Sequence, residues 1–316
     1  MYSYTIIIPH KNIPKLLQRC LDSIPHRDDL HIIVVDDNSD PDKVDFEHFP
    51  GYDRDDVEII FTKEGKGAGY ARNVGLSHAQ GEKIIFADSD DFFNYCINDI
   101  LNEYKDDNPD IVYFKSTSID STFYTNYNRK NFQHELNEYI DLFDSKPEEA
   151  LMHLRYDYGV PWGKIIRHDV IKENNIKFDE TPIHNDTTFV YTLGYYAKNI
   201  KVDKRALYCY TFSTSSTVNH LTEEKMLVRV KVFAKREKFY VQNNIPADNL
   251  DALANTLISI KQDWGEDVQE KAYKILAEEN ISKDYIQKKM KTIERKKYKY
   301  NKQQRIKYFL KRFLKM

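Results

Sequence analysis

The chain has 316 residues, room for one large domain with an appendage or for two domains; 41% apolar and 13% aromatic residues supply a core and exclude wholesale disorder. Its net charge of −3 conceals an asymmetry. Residues 285–316 hold thirteen Lys or Arg against one acid, Glu294, a balance of +12 that leaves −15 on the other 284.

An acidic body with a basic tail points to two jobs in one chain. No run of about 18 apolar residues exists, which excludes a membrane-spanning helix. The apolar run after Met1 is too short for a signal peptide and lacks a basic lead. Cys20, Cys96 and Cys209 are odd in number and show no C-x-x-C spacing. Together these features predict a cytoplasmic protein with reduced thiols.

Residues 4–8 predict a buried strand, after which Asn12 is placed to cap a helix with Leu16, Leu17, Cys20, Leu21 and Ile24 on one face. Residues 31–35 form the next strand and end in Asp36-Asp37-Asn38-Ser39. A third strand, 57–61, leads into a loop with Gly65, Gly67 and Gly69, then a helix carrying Tyr70, Arg72 and Asn73. Strand 83–87 ends in Asp88-Ser89-Asp90-Asp91, and 110–114 adds a fifth. This alternation predicts a largely parallel sheet with helices on both faces, whose ligands bind beyond the carboxyl ends of the strands. Both acidic clusters fall at such ends. Segment 116–145 lacks periodicity and reads as an irregular insertion near the site. Helices near 168–174 and from Asn185 or Asp186 to Tyr196 follow, then a strand at 207–212. From Thr222 helical patterns dominate, which sets the expected domains at 1–220 and 221–316.

The acid-tipped strand carries the chemistry. Three carboxylates within four positions repel one another and each loses hydration, so a cation is their natural partner. Mg²⁺ or Mn²⁺ carrying a diphosphate suits one or two carboxylates plus substrate oxygens. A solvated acidic turn is the competing reading. The glycine loop is similar to a phosphate cradle but lacks the G-K-[ST] ending of a P-loop, and reads as a flexible approach to the ligand.

Seven motifs in order resemble those of family 2 glycosyltransferases. They are Ile6-Ile7-Ile8-Pro9 with Asn12, Val35-Asp36-Asp37-Asn38-Ser39, Gly69-Tyr70-Ala71-Arg72-Asn73, Ala87-Asp88-Ser89-Asp90-Asp91, Pro161-Trp162-Gly163-Lys164, Phe178-Asp179-Glu180 and Asn185-Asp186. The resemblance covers residues 4–220. It implies an α/β GT-A fold, with a helical C-terminal extension in this chain, and inverting transfer of a sugar from a nucleotide-diphosphate donor. It implies that Asp37 bonds the uracil edge, that Pro9 and Asn12 line the nucleotide pocket, and that Arg72 faces the nucleotide or diphosphate. Asp88 would lie near the ribose, Asp90 on the Mn²⁺ or Mg²⁺ with Asp91 in support, and Asp186 would be the base that deprotonates the acceptor hydroxyl. The chain departs from the family at Asn185, where Glu is commoner, and at Lys11, where an aromatic often stacks on the base. Trp162 reads as a wall of the acceptor side, and His184 and His220 read as structural.

In the tail, Ile306, Phe309, Leu310, Phe313 and Leu314 fall on one helical stripe with Arg305, Lys307, Lys311, Arg312 and Lys315 beside or opposite it. A basic amphipathic helix is the pattern of a membrane-surface anchor, whereas the acidic body would repel nucleic acid. The expected protein is therefore a metal-dependent glycosyltransferase with a UDP-sugar donor and a glycan or lipid-linked acceptor, working at the inner face of the plasma membrane. A catalytically silent nucleotide-sugar-binding module and a phosphoryl or nucleotidyl transferase are the alternatives.

Overall fold

A computed structural model describes residues 2–121, 132–212, 221–246 and 251–313, the side chains of 132, 300–302 and 304–313 excepted. Strands apolar on both faces belong in the middle of a sheet covered on both sides. β1 (Tyr4–His10), β2 (Leu30–Asp37) and β4 (Lys83–Phe86) are buried at every position and pair in parallel, β1 lying between the other two. β3 (Val57–Thr62) pairs parallel to β2, with half-buried residues suited to an edge. The remaining strands are β5 (Phe92–Phe93), β6 (Ile111–Asp120), β7 (Lys164–Arg167) and β8 (Ile200–Phe212), giving the order β3-β2-β1-β4-β7-β6-β8-β5. β7 runs antiparallel to both β4 and β6, while β6 and β8 are parallel. The result is the mostly parallel α/β sheet expected from the sequence.

The helices of this unit are α1 (Pro14–Asp22), α2 (Ala68–His78), α3 (Ile97–Glu103), α4 (Phe132–Leu142), α5 (Pro147–Tyr156), α6 (His168–Glu173) and α7 (Thr187–Tyr196). Two expectations need correction. Asn12 does not cap α1, because Ile13 holds the cap position and Pro14 opens the helix, where its missing N–H costs nothing. The Ile13 N–H instead meets His10 Nε2 at 3.1 Å, while Asn12 turns the chain at φ 62° and accepts the Asp40 N–H at 2.7 Å. Segment 116–145 is not irregular throughout, since it holds the end of β6 and all of α4. Among the described residues of α4, Leu136 and Ile140 are the apolar side chains that are fully buried, too few for the helical period to stand out. Gln133 and Asn137 hold the helix to the sheet through the backbone of Ser116, Asn137 accepting its N–H at 3.0 Å.

Contacts divide the chain into two units, residues 1–220 and 221–316. The second contains α8 (Glu223–Gln242), α9 (Ala252–Asp263), α10 (Glu266–Glu278) and α11 (Lys283–Phe313). Its core joins Met226 and Val230, Leu257 and Ile260, Ala272 and Leu276, and Ile286, Met290 and Ile293. The α11 stripe 286, 290, 293 follows helical spacing and then stops, and residues 295–299 are exposed. The side chains of Ile306, Phe309, Leu310 and Phe313, and all of Leu314, lie outside the described residues. Among the described residues, no helix is long and apolar enough to cross a membrane.

Candidate active site

The carboxyl ends of β1, β2 and β4 open onto one cavity of about 390 Å³, lined by Pro9, His10, Lys11, Ile13, Asp37, Gly67, Ala68, Arg72, Asp88, Ser89, Asp90, Thr181, Pro182 and Asn185. Parallel pairing puts those ends side by side: Pro9 pairs with Val35 and His10 with Asp36. A cavity of this size, apolar in part with a few convergent polar groups, suits a small ligand.

Its floor is a closed network. His10 Nδ1 donates to Asp36 Oδ2 at 2.7 Å, the tautomer required because Nε2 accepts from Ile13. Ser39 gives Asp36 its N–H at 2.8 Å and its hydroxyl at 2.6 Å. Burial raises the Asp36 pKa, but these hydrogen bonds outweigh it and hold the acid below the usual range. The Asn12 N–H reaches Ser39 Oγ at 2.8 Å, so Asn12 supports the floor and is not itself among the lining residues.

Asp37, next in line, is differently placed. Its Oδ2 accepts the Gly67 N–H at 2.9 Å and the Lys11 ammonium at 3.3 Å. Its Oδ1 is buried with no partner among the described residues. A buried acceptor without a donor is costly.

Arg72, 5% exposed, spans the cavity. One amino group bonds Asp88 Oδ1 at 2.5 Å and the other Asn185 Oδ1 at 2.9 Å, while the guanidinium sits 5.3 Å from the centre of the Phe178 ring. Asn73, one position on, clamps Phe178 through its N–H at 2.9 Å and its carbonyl at 3.0 Å. At Gly69 an added Cβ would lie 2.0 Å from the Asp179 carbonyl, so only glycine lets α2 come this close. The loop 178–186 is thus fixed onto the first turns of α2.

The three acids at the tip of β4 have different surroundings. Asp88 is accessible and paired with Arg72. Asp90 has its acidity weakened to a pKa of about 6 by burial and by Asp88, and its main-chain carbonyl accepts from Arg19 at 2.5 Å. Asp91 is 1% exposed and accepts from the Tyr208 hydroxyl at 2.8 Å and the Thr211 N–H at 2.6 Å. Burial, Asp90 and Asp88 raise its pKa. Tyr208 is a pin: its oxygen also receives the Asp88 N–H at 2.8 Å. Among the described residues no three His, Cys, Asp or Glu side chains gather into a group that could hold a metal ion.

Asp186 follows Asn185 and stands at the cap position of α7, yet its carboxylate makes no capping bond among the described residues. Burial lifts its pKa to about 6, against the pull of Arg72.

The cavity therefore brings together Pro9, Asp37, Arg72, Asp88 and Asp90, whereas Asn12, Asp91 and Asp186 are not among its lining residues, Asp91 and Asp186 each following one in sequence. His184 is not among the lining residues, and His220 lies outside the described residues. Trp162 is not a wall: it is 2% exposed and stacks on Tyr208 at 4.9 Å and Tyr210 at 6.0 Å. The reading of sequence alone missed the parts played by His10, Arg19 and Tyr208. His10 and Arg19 sit beside predicted elements, but their partners are 26 and 71 residues away, and no local signal marks them.

A family model described as Glycosyl transferase family 2 matches residues 5–174. The poly(ribitol-phosphate) beta-glucosyltransferase of Bacillus spizizenii is 29% identical over 224 residues, 69% of this chain and 33% of that protein. TarS of Staphylococcus aureus, a poly(ribitol-phosphate) beta-N-acetylglucosaminyltransferase, is 24% identical over 228 residues, 70% of this chain and 37% of that protein. The chain spans about a third of the length of these relatives. The crystal structure of S. aureus TarS 1–349 in complex with UDP-GlcNAc superposes with a TM-score of 0.56 at 18% identity, covering 88% of this chain and 89% of that one. At that identity the likeness bears on the fold, which is the GT-A fold expected from the sequence. The matched residues 5–174 make up more than half of the 316, and the chain belongs to glycosyl transferase family 2.

Proposed function

We propose that the chain transfers a sugar from a UDP-sugar to a hydroxyl of a glycan or lipid-linked acceptor, with inversion, in the synthesis of a surface polysaccharide. The observation that carries this reading is Arg72, which ties Asp88 at the tip of β4 to Asn185, the neighbour of Asp186, across one cavity. In this reading Asp37 serves the uracil edge, and Pro9 and the Asn12–Ser39 floor shape the base pocket. Arg72 faces the diphosphate, and Asp88 the ribose. Asp186 removes the proton of the acceptor hydroxyl as it attacks the anomeric carbon on the face opposite the nucleotide.

The acid tip fits a hard cation. Asp88 and Asp90 line the cavity together, and a Mg²⁺ or Mn²⁺ ion needs only one or two carboxylates when substrate oxygens complete its shell. Asp90 would hold it, with Asp91 in support through the Tyr208 brace. When bound, the ion neutralises charge developing on the leaving nucleotide. Relatives that act on poly(ribitol-phosphate) make a cell-surface polymer the favoured class of acceptor.

The reading is tested by incubating the protein with a panel of UDP- and GDP-sugars and Mn²⁺. A UDP-sugar should raise the melting temperature by mass action, and UDP should be released when acceptor is added. Release of pyrophosphate instead, or no shift with any nucleotide sugar, overturns it.

The tail is the proposed link to the membrane, and hence to a cytoplasmic, peripheral location. Among the described residues Ile293 is the last of α11 in the core and 295–299 are exposed, and basic residues continue along the sequence. Near an anionic leaflet each contributes roughly 1 kcal/mol. Deleting residues 302–316 should release the protein from anionic liposomes and spare activity on a soluble acceptor analogue. High salt should partly mimic the deletion. A full-length protein that ignores such liposomes at low salt refutes the anchor.

A further inference from the structure

Residues 88–91 form a turn closed by the Asp91 N–H on the Asp88 carbonyl at 3.0 Å. Asp88, Ser89 and Asp90 line the cavity, whereas Asp91 is buried behind them. Tyr208 on β8 meets this turn twice with one hydroxyl group. It donates to Asp91 Oδ2 at 2.8 Å, and its oxygen accepts the Asp88 N–H at 2.8 Å. A phenol has one proton to give and lone pairs to receive, so both bonds form together. Donation to a carboxylate makes the oxygen a better acceptor, and the two bonds reinforce each other. One atom thus ties the first residue of the turn to the last.

The ring that carries this hydroxyl is fully buried and fixed on two sides. Trp162 stacks on it at 4.9 Å, and Phe93 meets it edge-on at 5.6 Å. The backbone adds to the aim. β6 and β8 slip register beside Lys115, which pairs with Ala206 while Ser116 pairs with Tyr208. Irregularities of this kind re-aim side chains beside functional sites. A phenylalanine would fill the same space without stripping a hydroxyl of water, so the two bonds to the turn are what the hydroxyl adds.

We propose that Tyr208 is a positioning residue for the divalent cation, its hydroxyl fixing the turn that presents Asp88 and Asp90 to the cavity. The proposal rests on the reading of these acids as the cation site.

The test uses the full chain and its Tyr208→Phe variant, which keeps the ring and its stack on Trp162. Mn²⁺ is titrated in excess UDP and followed by electron paramagnetic resonance, well below the melting temperature. The variant should bind Mn²⁺ about ten- to a hundredfold more weakly, the scale for groups that orient metal ligands without touching the metal. Amide hydrogen exchange should quicken at Asp88, whose N–H has lost its acceptor, and stay slow in β1 and β2. A residue that only filled the core would lower the melting temperature and leave Mn²⁺ affinity where it was. That result overturns the proposal. So does a loss of Mn²⁺ accompanied by faster exchange throughout β1 and β2, which makes Tyr208 a general support of the sheet. If the variant does not fold, Trp162→Phe takes its place, because it keeps the hydroxyl and weakens the stack that aims it. Mn²⁺ affinity should again fall and Asp88 exchange quicken, and an unchanged Mn²⁺ affinity overturns the proposal there too. A wild-type chain that takes up no Mn²⁺ with UDP removes the cation reading and this proposal with it.

Discussion

Asp186→Asn is expected to lower sugar transfer by ~10²-fold or more while leaving donor affinity in place. It should also make the protein harder to unfold at neutral pH. The first result follows from the loss of a proton acceptor within the site. The second follows from burial. In the folded chain Asp186 keeps its proton up to a pKa of about 6, whereas an ordinary aspartate loses it near 3.8. The folded state binds the extra proton between those values, so this group's contribution to stability declines as pH rises from about 4 to about 6 and stays low above. The shift corresponds to roughly 2–3 kcal/mol. Asparagine carries no such charge, and the carboxylate it replaces makes no capping bond whose loss would offset the gain. Melting temperatures should therefore separate at pH 7.5 and converge at pH 4. Wild-type turnover should fall as pH drops through about 6, where the base becomes protonated. If donor binding disappears together with turnover, Asp186 is structural and the base must be sought elsewhere.

Asp90→Asn should abolish Mn²⁺-stimulated donor binding and turnover with the fold intact. The substitution removes a charge and almost no volume. The bond from Arg19 goes to the main-chain carbonyl of Asp90, which asparagine retains. Burial and Asp88 together hold the Asp90 pKa at about 6, and a bound cation would bring it down. Metal titration followed by donor titration checks this, and metal-stimulated transfer that survives in the variant refutes the assignment. Asp91 provides the contrast, since both its oxygens serve Tyr208 and Thr211. Its removal should register in stability before it registers in metal affinity.

The location of the site was legible because strands 31–35 and 83–87 are largely apolar runs that stop at acids. A parallel sheet brings such stops together, and here they share one cavity. What the sequence concealed depends on register and distance. β7 has four residues, too few to display a pattern, so its antiparallel insertion between β4 and β6 left no trace. Trp162 reads as a wall of the acceptor side until β8 places Tyr208 and Tyr210 against it. Asn12 has the residue type of a helix cap, but His10 reaches the orphan amide first. Lys11 was visible as a departure from an aromatic position. Its ion pair with Asp37 became visible only when β1 and β2 were laid side by side.

The loop 178–186 is riveted at three points, by Asn73 to Phe178, by Gly69 against Asp179 and by Arg72 to Asn185. An insertion anywhere in these nine residues would carry Asp186 away from Asp88, so this stretch should keep its length wherever the chemistry is kept. The connection between α4 and α5 is different. Residues 144–146 are exposed, and Asp144 pairs with Lys204, neither of them a lining residue of the cavity. Extra residues there would cost little, because loop closure grows only slowly with length. Descendants of this chain that acquire new acceptors should therefore grow at 143–146 and leave 178–186 at its present count.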